Sequence, residues 1–392
     1  MPNKDSILDA ARRHAEEIVA PNVDRWNISA EWPRDASDKA GEAGLTGLYC
    51  PQEWGGQGLG VGDGIPVYEE LGKADGAYAF ALSMHNICAY ATCGFARDSF
   101  KTQWARALTS GKKLANFALT EPQSGSDAGA LRTEATINED GSYTVSGVKA
   151  WVSLATEADV YFVVTRTSAA PGSKGSAMVA IPADSAGVSF GPRYETPSYR
   201  FLPLAEMVLS DVTVPADHVI LPPGKGLSGA LMAIDIARVS IASGCCGLMQ
   251  TALDTALDYC HGRNMFGGTA LDLDGIRWML GDVANELEIS RLLYRKAAGL
   301  LGTDEGALAA AHAKLFVPDA ALRAANVCTQ VLGGAGLLAP SGLDRLSRLA
   351  QMLKIVDGTT EIQRVVIGRS LVKRAKERAS SKNGTSDPQQ VA

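Results

Sequence analysis

The chain of 392 residues carries 37 Lys and Arg against 43 Asp and Glu, a formal net charge of -6, with 46% hydrophobic and 20% charged residues. That length suits two or three packed domains. The acidic balance argues against a nucleic-acid partner, which needs clustered Lys and Arg.

The seven cysteines, at 50, 88, 93, 245, 246, 260 and 328, show neither a C-x-x-C pair nor metal-ligand spacing. With no cleavable apolar segment after the amphipathic start, they predict reduced thiols in a cytoplasmic protein and no bound metal. No run is read as approaching the ~18 apolar residues that a membrane span requires.

Residues 1–113 read as a helical domain. DSILDAARRHAEEIVAPNV has apolar residues at helical spacing and ends at Pro21. The helical stretches ASDKAGEAGLTGLYC and GIPVYEELGKADGAYAFALSMHNICAYAT follow, separated by the glycine-rich loop EWGGQGLGVGDG. Between 114 and 222 the character changes to short β-branched or alternating segments divided by Gly, Pro and Asp turns, which predicts an antiparallel β domain. NEDGS, set between two alternating runs, is a hairpin signal. From 223 to 376 the helical period returns in four long stretches, 227–263, 273–301, 306–332 and 343–376, the count of a four-helix bundle. The polar remainder, 377–392, is expected to be a disordered tail. Helices, a β domain and a bundle together predict an α+β fold.

Five segments carry candidate chemistry. FALTEPQSGSDAG (117–129) places a strand end before a turn rich in hydroxyls and glycine, which could bind an anion through backbone N–H groups or be a plain loop exit. GVKAWVSLAT contains Trp151 and Ser153, and a tryptophan in a β domain is more often core than cofactor platform. The helix of DIARVSIASGCCGLMQTALDTALDYCHGRNMFGG has small residues at 242–247 that permit close packing, and Asp235 with Arg238 at an i, i+3 spacing that is ordinarily worth little. QVLGGAGL sets Gln330 before Gly333 and Gly334, where backbone could approach a phosphate or simply turn between helices. VDGTTEIQR (356–364) ends the series with a carboxylate before Gly-Thr.

In this order the five segments resemble the acyl-CoA dehydrogenases, flavoenzymes that oxidise a thioester between its α and β carbons, and the resemblance covers nearly the whole chain. It implies FAD as cofactor. It assigns Phe117, Leu119 and Thr120 as flavin contacts, Trp151 as the ring packed on the flavin and Ser153 as the hydroxyl at its edge. In the YxxxRxxFG motif (Tyr259, Arg263, Phe266, Gly267) it gives Arg263 to the pyrophosphate by charge and Phe266 to the adenine by stacking. Gln330, Gly333 and Gly334 close over the cofactor from a neighbouring subunit, so a homodimer or homotetramer is expected. Thr359 and Glu361 join the cofactor set. Ser126, Asp235, Arg238 and Gly358 meet the acyl-CoA thioester, and an electron-transfer flavoprotein is the expected acceptor.

The chain departs from the family in three places. Asp357 stands where relatives commonly carry the glutamate that removes the α-proton. Ala237 occupies the alternative position for a base, leaving Asp357 as the candidate. Phe201 and Leu202 replace a small Gly-Ser pair, and Asp274 replaces a glutamine near the adenine. Asp and Glu differ in pKa by only ~0.4, so the change alters reach more than basicity: one methylene withdraws the carboxylate by roughly 1–1.5 Å, and ~1 Å of misplacement can cost ~10²-fold in rate. An aspartate base fits a dehydrogenase for cyclic or branched acyl groups, as in the cyclohexanecarboxyl-CoA dehydrogenases. It also fits a nitroalkane-oxidase-like enzyme. A desulfinase-like enzyme and a catalytically silent flavin-binding subunit are the remaining alternatives.

Overall fold

The structure, a computed structural model, describes residues 4–383. Seven helices come first: α1 (Lys4–His14), α2 (Val23–Ser29), α3 (Arg34–Glu42), α4 (Val61–Gly64), α5 (Val67–Ala74), α6 (Gly76–Phe95) and α7 (Asp98–Thr109). A π-helical turn over Ala15–Val19 continues α1 and stops before Pro21. The stretch read as one helix through KADGAY is two, because Asp75 leaves the helical region (φ -162°) and caps α6, its Oδ1 accepting from the N–H groups of Ala77 and Tyr78 at 2.8 and 2.9 Å. The segment beginning ASDKAGEAG stops being helical at Glu42, with Gly44 left-handed just beyond it.

Eight strands form the middle sheet: β1 (Ala115–Ala118), β2 (Glu134–Ile137), β3 (Tyr143–Ser153), β4 (Val160–Arg166), β5 (Ser176–Pro182), β6 (Val188–Phe190), β7 (Leu204–Val214) and β8 (Val219–Leu221). Their order is β6-β7-β3-β2-β4-β5-β8, with β1 on β4. Most pairings are antiparallel, and NEDGS joins β2 to β3 with Ile137 opposite Tyr143. Two pairings correct the fully antiparallel expectation: β1 runs parallel to β4, and β2 meets β4 in parallel at Glu134 and Arg166. Such pairings join strands distant in sequence, which local alternation does not encode.

The last part is α8 (Gly226–Gly262), a small hairpin of β9 (Asn264–Met265) and β10 (Gly268–Thr269), then α9 (Asp274–Leu300), α10 (Gly306–Leu332), α11 (Leu343–Ile355) and α12 (Thr360–Asn383). The fourth stretch of the bundle is therefore interrupted at Val356–Thr359, the segment that carries Asp357. The tail expected from 377 is helical as far as Asn383, and 384–392 lie outside the described residues.

Helix α8 is the centre of the bundle. By length and composition it alone among the described helices could cross a membrane, contrary to the reading that no run comes close, and 67% of its most apolar window is buried inside the protein. Its apolarity follows from packing on several sides, since α5, α9 and α10 all lie against it. Small residues let α5 and α8 touch backbone to backbone. A Cβ at Gly72 would lie 2.3 Å from Gly244 O, and one at Gly247 would lie 2.3 Å from Glu69 O. The same packing buries Cys245 and Cys246, and all seven cysteines are buried and free.

Candidate active site

Between α11 and α12 the chain turns through Asp357 (φ 54°) and Gly358 (φ 98°). Aspartate is among the residues that best tolerate the left-handed region. The positive φ favours glycine at 358, and a Cβ there would sit 2.9 Å from Gln363 Nε2 and 3.0 Å from Arg238 Nη2, so both side-chain ends would have to shift. Arg238 reaches the turn from α8, donating from Nε to Asp357 O at 3.1 Å and from Nη1 to Asp235 Oδ1 at 2.9 Å. Gln363 Nε2 donates to Gly358 O at 2.7 Å. The Asp235–Arg238 pair is thus part of the mounting of Asp357 as well as a helix pair.

The Asp357 carboxylate is the exceptional group of this cluster. Its Oδ2 is buried without a hydrogen-bond partner. Burial raises its pKa to about 6, against the lowering influence of Lys314 and Arg238. Burial likewise raises Asp235, and Arg238 opposes the rise. Thr359 is half-buried and Glu361 exposed at the start of α12, where Glu361 pairs with Arg364 at 3.3 Å.

A second group of predicted residues gathers where the end of β1 meets the end of β3. Thr120 O accepts from Ala150 N at 2.8 Å, and Asn116 Nδ2 on β1 donates to Ser153 O on β3. Phe117, Leu119 and Thr120 are half-buried there. Trp151 falls in an irregularity of the β3–β7 register between Lys149 and Val152, has φ 56°, and is 61% exposed. A bulge of this kind re-aims a side chain, and here it turns an indole outward with Tyr194 beside it at 4.4 Å between ring centroids. Under the patch, Lys149 Nζ meets Glu121 Oε1 at 2.8 Å, both side chains fully buried, and also donates to Leu119 O at 3.1 Å. Burial opposes the charge on Glu121 and Lys149 outweighs it, holding the carboxyl at about 2.

The remaining predicted residues lie at the far end of the bundle. Phe266, at φ 51°, and Gly267, at φ 83°, form the two-residue turn between β9 and β10, and the Phe266 ring is 91% exposed. Arg263 precedes it, also exposed. Helices α8 and α10 run in the same direction, because Cys245 lies near Lys314 and Cys260 near Cys328. Gln330, Gly333 and Gly334, all exposed, therefore sit at the same end as Arg263. Along α8 from Arg238 to Arg263 the rise is ~37 Å. Ser126 is exposed on the loop after Ser124, and among the described residues no hydrogen bond or ion pair joins it to the Asp357 cluster.

Sequence reasoning missed Lys314, Gln363 and the Glu121–Lys149 pair. The last was available as a signal, since its two members sit inside LTEP and KAWVS. Lys314 and Gln363 looked like ordinary helix residues. The departures also find places. Phe201 is fully buried against Trp26 and Trp32, at 5.9 and 6.1 Å between centroids, filling the seam between the first helices and the sheet. Asp274 is exposed at the start of α9 and pairs with Arg277 at 2.6 Å. Ala237 is buried on α8 beside Arg238.

Exposed aromatic faces at Trp151 and Phe266, a guanidinium at Arg263, and backbone without side chains at Gly333 and Gly334 fit the stacking, charge and close-approach needs of FAD. Comparison with known proteins points the same way. Sequence models of the acyl-CoA dehydrogenase N-terminal, middle and C-terminal domains match residues 1–112, 116–212 and 224–372. A protein of Bacillus subtilis (strain 168) named as probable acyl-CoA dehydrogenase YngJ is 35% identical, over 94% of this chain and 97% of that protein. The solved butyryl-CoA dehydrogenase of Megasphaera elsdenii superposes with TM-score 0.90 at 30% identity, covering 94% of this chain and 98% of that one. PigA, solved as an FAD complex, matches with TM-score 0.89 at 25% identity, covering 95% and 98% of the two chains.

Proposed function

This chain belongs to the acyl-CoA dehydrogenase family, an FAD-dependent oxidoreductase, and from that premise we propose that Asp357 is the base of its reaction on an acyl-CoA thioester. The observation that carries the proposal is the buried, unpartnered Oδ2 of Asp357, on a turn held by Arg238 and Gln363. A carboxylate in a dry site keeps a lone pair free and is a stronger base than in water. Oδ2 accepts the α-proton of the thioester. FAD, when bound, supplies the acceptor for the β-hydrogen as hydride.

The residues around that step have separable tasks. Arg238 fixes the Asp357 backbone and holds Asp235. Trp151 and Ser153 present a face and a hydroxyl to the flavin from the sheet. Arg263 and Phe266, ~37 Å along α8 from Arg238, and Gln330, Gly333 and Gly334 at the same end of the bundle lie far from their own Asp357, which supports a homodimer or larger assembly in which each chain completes its partner's site. Electrons then pass to an electron-transfer flavoprotein, and the protein works in the cytoplasm. Thr359, Glu361, Gly358 and Ser126 keep the contacts that the family pattern gives them.

Anaerobic bleaching of the flavin absorbance by a panel of acyl-CoA thioesters tests the reading, with nitroethane as the rival carbon acid. The wild-type protein is expected to bleach with thioesters. Asp357→Asn should retain FAD and bleach ~10²–10⁴-fold more slowly, the usual loss of a general base. Equal rates in the two proteins, or bleaching by nitroethane alone, would overturn it.

A further inference from the structure

Lys314 stands out among the charged groups of the interior. It is 1% exposed in the middle of α10, yet among the described residues it forms no ion pair within contact distance. Its Nζ donates only to Lys354 O at 3.3 Å and Gly358 O at 3.4 Å, both long. The other fully buried lysine, Lys149, has Glu121 at 2.8 Å. An ammonium left in this state is expensive, and a buried lysine without a structural partner calls for another role. Pro318, one turn on, lacks the N–H that would bond the Lys314 carbonyl, so the helix is also short of a hydrogen bond at this residue.

The surroundings name the counter-charge. From α8, Arg238 faces Lys314 with the same sign, while Cys245 is a buried thiol and Asp235 is engaged by Arg238. On α10 and α11, Asp319 and Lys354 satisfy each other at 2.5 Å. On α12, Glu361 pairs with Arg364, and Gln363 is neutral, its Oε1 buried without a partner. The carboxylate left unpartnered is Asp357, whose charge acts on Lys314 as Lys314 acts on it.

Resting on the reading of Asp357 as the base, we infer that Lys314 is a positioning residue: its ammonium grips the turn through Lys354 O and Gly358 O and keeps the Asp357 carboxylate ionised in a dry pocket. Two observations join in this. The carbonyls lie at the end of α11, where the helix dipole favours a cation, and in the left-handed turn itself. The ammonium reaches the carbonyl of the residue next to Asp357, and its charge opposes the burial that would otherwise protonate the carboxyl. Lys314 touches no reacting atom; it acts through Asp357. Arg238 adds its charge to the same effect from the other side, while its Nε and Nη1 hold Asp357 O and Asp235 Oδ1.

The test compares the FAD-loaded wild type with Lys314→Met, which keeps the stem and removes the charge, Lys314→Arg, which keeps the charge, and Asp357→Asn. Infrared spectra across pH follow the carboxylic-acid band that Asp357→Asn abolishes, and stopped-flow bleaching by butyryl-CoA follows the acid limb of the rate. A charge that lowers the pKa of its neighbour must, when removed, let that pKa rise. In Lys314→Met both signals should therefore move to higher pH by about one unit or more, slowing proton removal ~5-fold at pH 6. Lys314→Arg should bring them back towards wild type. Lys314→Met that titrates as wild type does, whether or not its melting temperature falls, overturns the inference and leaves Asp357 as base. A wild-type band near pH 6 that survives in Asp357→Asn overturns the reading of Asp357, and the inference with it.

Discussion

Asp357→Asn should slow proton removal ~10²–10⁴-fold and make the protein more stable at the same time. The carboxyl titrates at about 6 in the fold against an ordinary 3.8, a gap of about two pH units, so at ~1.36 kcal/mol per unit its ionisation costs the folded state roughly 3 kcal/mol. The sign follows from proton counts. Below pH ~3 both folded and unfolded chains hold the proton, and the cost is absent. As pH rises towards 6 the unfolded chain ionises first, so stability falls, and above ~7 the full cost is present. The amide cannot ionise and escapes it. The shift to about 6 already includes the attraction of Lys314, so the lost counter-charge adds no separate cost. A net stabilisation of ~1–3 kcal/mol is expected at pH 7.5, falling to about 0.5 kcal/mol near pH 4, where the folded wild-type carboxyl is neutral as well. Urea unfolding of both proteins at the two pH values, at matched FAD and protein concentrations, measures it. A difference of the same size at both pH values, or a less stable mutant at pH 7.5, would refute the argument that this charge is buried in the fold.

Two other perturbations separate structure from cofactor binding. Glu121→Gln strands the Lys149 ammonium in the interior and should cost ~3–5 kcal/mol, read as a fall in melting temperature; an unchanged melting temperature would contradict the buried pair. Trp151→Ala removes an indole that is 61% exposed, so the fold should barely change while FAD is lost on gel filtration. Flavin retained with wild-type affinity would show that this ring is not its platform.

The sequence made the periodic elements legible and left the interruptions hidden. Helical spacing marked α8, α9 and α10 closely, because each holds one register for many turns. The division at Asp75 was missed, although an aspartate followed by Gly is a fair cap signal, since apolar residues continue on both sides of it. The break at Val356–Thr359 was missed for a similar reason: the apolar spacing of α11 and α12 nearly continues through the gap, and what breaks it is the backbone of Asp357 and Gly358. Motif order brought Trp151, Phe266 and Asp357 forward, but their shared left-handed backbone is a property of the folded chain alone. Such strained positions persist where surrounding structure over-determines them. Lys314 was invisible because its importance lies in having no carboxylate at ion-pair distance, which only three-dimensional neighbours can show.

The length of α8 has a genetic consequence. In a paired assembly where Arg263 of one chain serves the cofactor next to Asp357 of the other, every site is the product of two gene copies. A chain defective at Asp357 and another defective at Arg263 are each inactive alone. Mixed in one dimer, they yield one site carrying both defects and one carrying neither, so the two alleles complement each other within the pair. Two defects confined to the same end of α8 produce no such rescue, and the ~37 Å between those ends sorts mutations in this chain into two complementation groups.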